Sequence, residues 1–192
     1  AGKAFELEPS TEVAISLLEQ VTLDCDWYER LAGFYSAQIP SVQDFEISQK
    51  IRHRLAEVYE NELSDNDRAI EVLMSIIELS PSDNVALQSL ERLYKELGSF
   101  SDLAEVYKHR IQQADTDKSR IGLMRELARI EADLLSEPDT AISTLNELLL
   151  IDEHDVPALR RLAKLYEQNE SFALAEATLR RILSTPQEEL RE

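Results

Sequence analysis

The middle of the chain carries the stretch I77-E-L-S-P-S-D-N-V-A-L87, and two related stretches stand at a fixed distance from it. One begins 72 residues earlier and reads F5-E-L-E-P-S-T-E-V-A-I15, and the other begins 72 residues later and reads L149-L-I-D-E-H-D-V-P-A-L159. In the middle copy, Pro81 prevents a helix from continuing, and Asp83 offers a side-chain oxygen as the N-cap of the next helix. A helix junction that recurs at a fixed period indicates a structural unit stacked on itself.

The 72-residue match extends well beyond these junctions. It includes apolar and small residues at many positions, with Leu55, Ala56, Leu63, Asp67, Ala69, Ile70 and Leu73 matching Leu127, Ala128, Leu135, Asp139, Ala141, Ile142 and Leu145. Within each block the apolar residues recur at helical spacing, and turn signals such as Gly98-Ser99 separate one apolar stripe from the next. The pattern predicts helix pairs at about 9–39, 47–79, 83–114, 117–150 and 155–184.

The composition agrees with an all-helical protein. The 192 residues include only 4 Gly and 6 Pro, and 43% of them are apolar, which is an ordinary share for a folded domain. We therefore expect residues 1–192 to form a single all-α solenoid of about ten helices. The chain starts and stops within the repeat pattern, which predicts a fragment of a longer repeat protein that self-associates through its exposed ends.

The residues within each helix pair resemble the tetratricopeptide repeat (TPR), in which small residues stand where two helices cross. The clearest match is the stretch from Ala158 to Ile182, where Leu162, Ala163 and Tyr166 occupy first-helix positions of the family. A second match begins near Gln49 and requires a one-residue insertion in the turn. Glu131 departs from the pattern because the family usually has an aromatic residue there. The resemblance implies a right-handed superhelical α-solenoid of antiparallel helix pairs.

The charge of the chain bears on its partners. A net charge of −18 repels phosphate backbones, so nucleic acid is a poor partner. No apolar run reaches the roughly 18 residues that cross a bilayer, and we expect no membrane insertion. Cys25 is the only cysteine, which fits a reducing compartment, and we expect a cytoplasmic protein.

The sequence contains no recognisable catalytic or cofactor chemistry. Its histidines, His53, His109 and His154, are far apart and have no cysteine or second histidine at ligand spacing, so we expect no metal site. The glycines form no phosphate-binding loop, and we expect no cofactor. These observations favour a protein that is not an enzyme. Trp27 and Tyr28 open a predicted helix, and we expect their rings to pack between helices.

One set of residues points to partner binding. The resemblance implies that an extended peptide binds along a concave wall made by the first helix of each pair, and helical periodicity selects the residues on that wall. Its basic side chains and its histidine are the candidate peptide-binding residues, namely Lys50, His53, Arg92, Lys95, Arg125, Arg129, Arg160 and Lys164. Guanidinium and ammonium groups on an otherwise acidic molecule favour an acidic segment of a protein or peptide as the partner.

Two alternatives remain open at the level of the sequence. The basic residues could instead pair with neighbouring carboxylates, for example Arg129 with Asp133, and have no ligand. The solenoid could also be a spacer or regulatory segment of a larger multidomain enzyme or assembly, and act through its ends and edges. The leading hypothesis is a non-catalytic protein-interaction scaffold.

Overall fold

The computed structural model describes residues 27–184, and these residues form nine α-helices and no β-strand. The all-α fold predicted from the sequence is therefore confirmed. In chain order the helices are α1 (Tyr28–Gln38), α2 (Phe45–Glu57), α3 (Asn66–Leu79), α4 (Asn84–Leu97), α5 (Phe100–Gln112), α6 (Asp117–Arg129), α7 (Pro138–Ile151), α8 (Val156–Gln168) and α9 (Phe172–Ser184).

The chain divides into two compact units, of which unit 1 ends at Leu93 and unit 2 begins at Tyr94. In unit 1, α2 packs on α3, and in unit 2, α6 packs on α7 and α8 packs on α9. Helices that are joined by a short turn thus form antiparallel pairs. Residues 9–26 of the first predicted pair lie outside the described residues, and the single domain over residues 1–192 stays a prediction.

Side-chain caps start most of these helices. The carboxylates of Asp44 and Asp65 accept hydrogen bonds from backbone N–H groups at the start of α2 and α3, each at 3.0 Å. Asp83 and Asp155 do the same for α4 and α8, at 2.9 and 2.8 Å. Each cap satisfies a backbone donor that the first helical turn leaves unpaired. The two aspartates of the repeated junction therefore have the N-cap role that the sequence predicts.

The ends of the helices repeat with the same period as the sequence. After α2 and after α6 the chain makes one π-helical turn, over Val58–Glu62 and Ile130–Leu134. A residue with positive φ follows each turn, Ser64 at 52° and Ser136 at 58°. A π-helical turn holds one residue more than an α-helical turn, which accounts for the one-residue insertion relative to the TPR pattern. The ends of α4 and α8 are different, since their chain reversals use Gly98 at φ 69° and Glu170 at 57°.

The helix crossings are filled by small residues, as the repeat pattern predicts. All six alanines expected at crossings are buried, namely Ala56, Ala69, Ala128, Ala141, Ala163 and Ala175. In unit 2, Ala128, Ala141 and Ala158 share one apolar cluster with leucines from α7 and α8. A larger side chain at such a crossing forces the helices apart.

The expectation for Trp27 is wrong. Its side chain is 47% exposed, and the guanidinium of Arg30 lies 4.7 Å from the ring centroid. Trp27 is the residue before the first turn of α1, where a large ring points away from the helix pair and stacks on a cation instead of packing in the core.

Candidate functional site

Within each unit, two first helices of neighbouring pairs carry the predicted binding residues. Lys50 and His53 lie on α2 and Arg92 lies on α4. In unit 2, Arg125 and Arg129 lie on α6, and Arg160 and Lys164 lie on α8. Lys95 also belongs to unit 2, in the last turn of α4, with its Nζ atom 5.9 Å from the centroid of the Tyr107 ring.

In unit 1, two polar contacts connect α2 with α4. The Nε2 atom of His53 lies 3.0 Å from Oδ2 of Asp83, the N-cap of α4. One or two turns further along, Arg92 forms an ion pair with Glu60 of the π-helical turn. His53 and Arg92 are thus occupied by contacts between neighbouring helix pairs.

The carboxylate of Asp83 is tuned by its surroundings. Burial raises its pKa, but hydrogen bonds from the Ala86 N–H and from His53 outweigh that effect, so that the pKa of Asp83 lies below its usual range. The folded protein therefore favours the ionised form of this carboxyl.

In unit 2, the equivalent contact is made by an arginine. The Nε–H of Arg125 donates to both carboxylate oxygens of Asp155, at 2.9 and 3.2 Å, and a second guanidinium nitrogen donates to Oδ2. The Asp155 side chain is fully buried, whereas that of Arg125 remains 43% exposed. A second ion pair, between Arg161 of α8 and Asp133 of the π-helical turn, spans 2.6 Å. Residue 125 and residue 155 stand 72 positions after His53 and Asp83.

The remaining predicted cations of unit 2 differ in their surroundings. Arg129 donates from Nε to Glu126 at 2.9 Å, within its own helix, and its expected partner Asp133 is taken by Arg161. Arg160 and Lys164 are exposed one turn apart on α8, and neither has an ion-pair partner within residues 27–184.

We call the surface made by these side chains the α6–α8 strip, and it comprises Arg125, Arg129, Arg160, Arg161 and Lys164. The contacts of Arg125 with Asp155 and of Arg161 with Asp133 hold α6 and α8 side by side with the same direction. The carboxylates on or beside the strip are Glu126, Asp133, Asp155 and Glu167, and Asp155 is fully buried. The strip therefore carries a small positive charge on a chain whose net charge is −18.

Sequence reasoning missed the carboxylates that face the predicted cations. Asp83 and Asp155 were recognised as caps, but not as partners of His53 and Arg125. A usable signal was present, because the two pairs occupy the same positions of the 72-residue period and each spans 30 residues. A basic residue and an N-cap aspartate at matching repeat positions indicate a contact between neighbouring helix pairs.

A second missed feature is the burial of Glu131 in unit 2. Its side chain accepts a hydrogen bond from Oγ1 of Thr144 at 2.7 Å, and the residue is only 2% exposed. Burial raises the pKa of Glu131, and the hydrogen bond from Thr144 offsets only part of that effect. Tyr59 is the equivalent residue in unit 1, where an aromatic ring fills the same repeat position.

The described part of the chain offers little to a metal or a membrane. No three His, Cys, Asp or Glu side chains among residues 27–184 are grouped as metal ligands would be. Over the same residues, every helix is too short or too polar to cross a lipid bilayer.

Comparison with protein-family models gives no match, and comparison with curated proteins gives no significant match. Solved structures do resemble this chain. A crystal structure of MamA covers 89% of this chain and 95% of its own, with 14% identity and a TM-score of 0.51. A kinesin light chain protein of Podosopora anserina with nearly identical TPR-like repeats covers 96% and 99%, with 18% identity and a TM-score of 0.48. MamA of Desulfovibrio magneticus RS-1, from residue 41 to its end, covers 95% and 99%, with 12% identity and a TM-score of 0.47. Together with the recurring helix pairs, the likeness to the MamA crystal structure identifies the fold as a TPR-like helical repeat.

Proposed function

We propose that this chain is a non-catalytic protein-interaction scaffold and that its α6–α8 strip binds an acidic, extended segment of a partner protein. The observation that carries the proposal is the pair Arg160 and Lys164, two exposed cations one turn apart with no ion-pair partner in the described part of the chain. Like charges at this spacing cost an isolated helix about 0.2–0.5 kcal/mol. A carboxylate from a partner would remove that repulsion.

Arg125 supports the same proposal. Two nitrogens of its guanidinium are engaged by Asp155, which fixes the orientation of the group, while 43% of the side chain stays exposed. A guanidinium has five N–H donors, so the donors that point away from Asp155 remain for a second carboxylate. An arginine that is already oriented loses less side-chain entropy on binding than a mobile lysine does.

Unit 1 is a weaker candidate for the same ligand. Its cation Arg92 is paired with Glu60, and His53 contacts Asp83. An acidic segment would have to displace these carboxylates. We therefore assign the binding of an acidic partner to unit 2, and Lys50, His53 and Arg92 to the internal contacts of unit 1.

The test compares two double variants with the same change of charge. Arg160→Glu/Lys164→Glu reverses two charges on the strip, and Lys118→Glu/Arg180→Glu reverses two exposed charges elsewhere in unit 2. The probe is a fluorescein-labelled, Asp- and Glu-rich ten-residue peptide, and its binding is followed by fluorescence anisotropy at several salt concentrations. We expect weak binding by the wild type that falls as salt rises, because exposed charges are screened beyond about 8 Å at physiological ionic strength.

The strip variant should lose at least tenfold in affinity, and the control variant should lose much less. Equal losses in both variants would show that only the overall charge matters, and the strip would then be rejected as a site. Affinity capture from a lysate with the same three proteins tests the broader scaffold proposal, because it does not depend on the acidity of the partner.

A second candidate function, assembly through helix surfaces, is favoured by α9. Phe172, Leu179 and Leu183 are all exposed and recur at a spacing that places them on one helix face, with Leu183 at 86% exposure. Such an apolar face favours contact with another protein or with a second copy. If it does, Leu179→Gln/Leu183→Gln should lower the mass measured by light scattering at high concentration, and an unchanged mass would exclude self-association through α9.

A further inference from the structure

Two contacts of the same kind hold neighbouring helix pairs together, one in each unit. Junction 1 is the contact of His53 with Asp83, and junction 2 is the contact of Arg125 with Asp155. Both connect a first helix to the N-cap of the next first helix, and both cap a backbone N–H three residues later, at Ala86 and Ala158. The two junctions are equivalent in position but not in strength.

Junction 2 is closed by several donors at once. Both oxygens of the Asp155 carboxylate accept from the Nε–H of Arg125, Oδ2 accepts a further guanidinium N–H, and Oδ1 also accepts from the Ala158 N–H. The carboxylate is fully buried, so opening the junction would leave a charge without its donors in a site that excludes water.

Junction 1 is closed by fewer donors and is wetter. A single ring nitrogen of His53 reaches one oxygen of Asp83, and the Ala86 N–H reaches the other. The two side chains are 23% and 19% exposed, so water can replace the imidazole when the contact breaks. Lys50 and Glu57 lie one turn before and after His53 on α2, where they compete for the same polar surroundings.

We infer that junction 1 is a conformational device, a point at which unit 1 opens and lets the angle between α2 and α4 change, whereas junction 2 holds α6 and α8 fixed. Opening breaks the side-chain contact and the N-cap together, since one carboxylate serves both. The first amide of α4 that depends on Asp83 then becomes exposed to solvent. The device does not depend on what the scaffold binds.

Native-state hydrogen exchange on the full chain tests this inference at matched amides. Ala86 and Ala158 each donate to the side chain of the junction aspartate, and Leu87 and Leu159 each donate to its backbone carbonyl. We expect the protection factors of Ala86 and Leu87 to be roughly tenfold lower than those of Ala158 and Leu159, because charge-assisted hydrogen bonds are about twice as strong as neutral ones.

Reciprocal substitutions separate the junction from other differences, such as Pro157 in the first turn of α8. His53→Arg should raise the protection of Ala86 and Leu87, and Arg125→His should lower that of Ala158 and Leu159. Leu73 and Leu145, equivalent residues in the middle of α3 and α7, provide the control amides and should not change. Equal protection at the two junctions of the wild type, or substitutions that leave their order unchanged or shift the control amides equally, would overturn the inference.

Discussion

Junction 1 and junction 2 occupy the same position of the repeat, yet one is closed by an imidazole and the other by a guanidinium. In both cases the basic group faces the N-cap carboxylate of the next first helix. A cation on the first-helix surface is therefore not automatically a ligand contact, because the next N-cap aspartate competes for it. What distinguishes Arg125 from His53 is that its guanidinium has donors left over after the junction is closed.

A second pair of equivalent positions differs in the opposite sense. Tyr59 in unit 1 is an aromatic residue on which the guanidinium of Arg68 stacks, 4.5 Å from the ring centroid. Glu131 in unit 2 is a buried carboxyl with one hydrogen bond, to Thr144. Unit 2 thus combines the stronger junction with the less favourable buried residue, and these two features can be separated by mutation.

The largest effect should come from removing the junction carboxylates. Asp155→Ala removes an N-cap and the contact with Arg125, which together contribute about 2–4 kcal/mol, since a cap contributes about 1 and hydrogen bonds to charged groups about 1.5–3. Asp83→Ala removes a cap and a single contact with His53, for about 1–2 kcal/mol. Urea denaturation followed by circular dichroism measures both losses.

The controls are Glu71→Ala and Glu147→Ala, which remove exposed carboxylates from second helices of units 1 and 2. Each should change stability by less than about 0.5 kcal/mol. If Asp83→Ala destabilises the protein as much as Asp155→Ala does, the two junctions are equal in strength and the comparison fails.

Glu131→Gln should have a smaller effect, and it should stabilise the protein at neutral pH. Because burial raises the pKa of Glu131 above its unfolded value of about 4.3, the folded state binds the proton more tightly, and stability falls as pH rises through that window. The glutamine removes this cost, which is on the order of 1 kcal/mol at pH 7, and it can still accept from Thr144.

The advantage of the Glu131→Gln variant should shrink as the pH falls through the raised pKa of Glu131 and disappear below about pH 4. Thermal melts of wild type and variant between pH 7 and pH 4 would follow this change, with Glu147→Gln as an exposed control in the same unit. A variant that is less stable than the wild type at pH 7 would show that the charge at residue 131 stabilises unit 2.

The smallest effect concerns the charge of Asp83 alone. Since the pKa of Asp83 is lowered in the folded protein, its charge stabilises the fold fully above the unfolded pKa of about 3.9, and this contribution is lost as pH falls through the folded value. Asp83→Asn keeps a good N-cap, so the variant should lose less than about 1 kcal/mol at pH 5. Urea titrations from pH 5 to 2.5 should show the two proteins converging, and a constant difference would assign the effect to geometry instead of charge.

Much of the fold could be predicted from the sequence because backbone geometry determines it locally. Pro81, Asp83 and Gly98 indicate where helices stop and start, and alanines such as Ala128 occur where two helices approach closely. These residues act through sterics and capping, which depend on neighbours a few positions away. The helices of the described residues follow from them.

The candidate site could be predicted only in part, because helical periodicity gives the direction of a side chain but not its partner. Arg125 and Lys164 face the same strip, yet one of them contacts an aspartate 30 residues away and the other is exposed. The burial of Glu131 depends on Thr144, which reaches it from the next helix. Contacts of this kind are set by tertiary packing, which a single sequence does not reveal.

The alternation of the helix ends has a consequence for the modular construction of this protein. A π-helical turn followed by Ser64 closes one hairpin, Gly98 closes the next, and Ser136 and Glu170 repeat the order. A block of 36 residues copied or excised at random would therefore join two turns of different backbone length and shift every following helix by one residue. The shortest block that preserves turn chemistry is 72 residues, such as residues 63–134, so that insertions and deletions of whole repeats in this chain should come in pairs of hairpins.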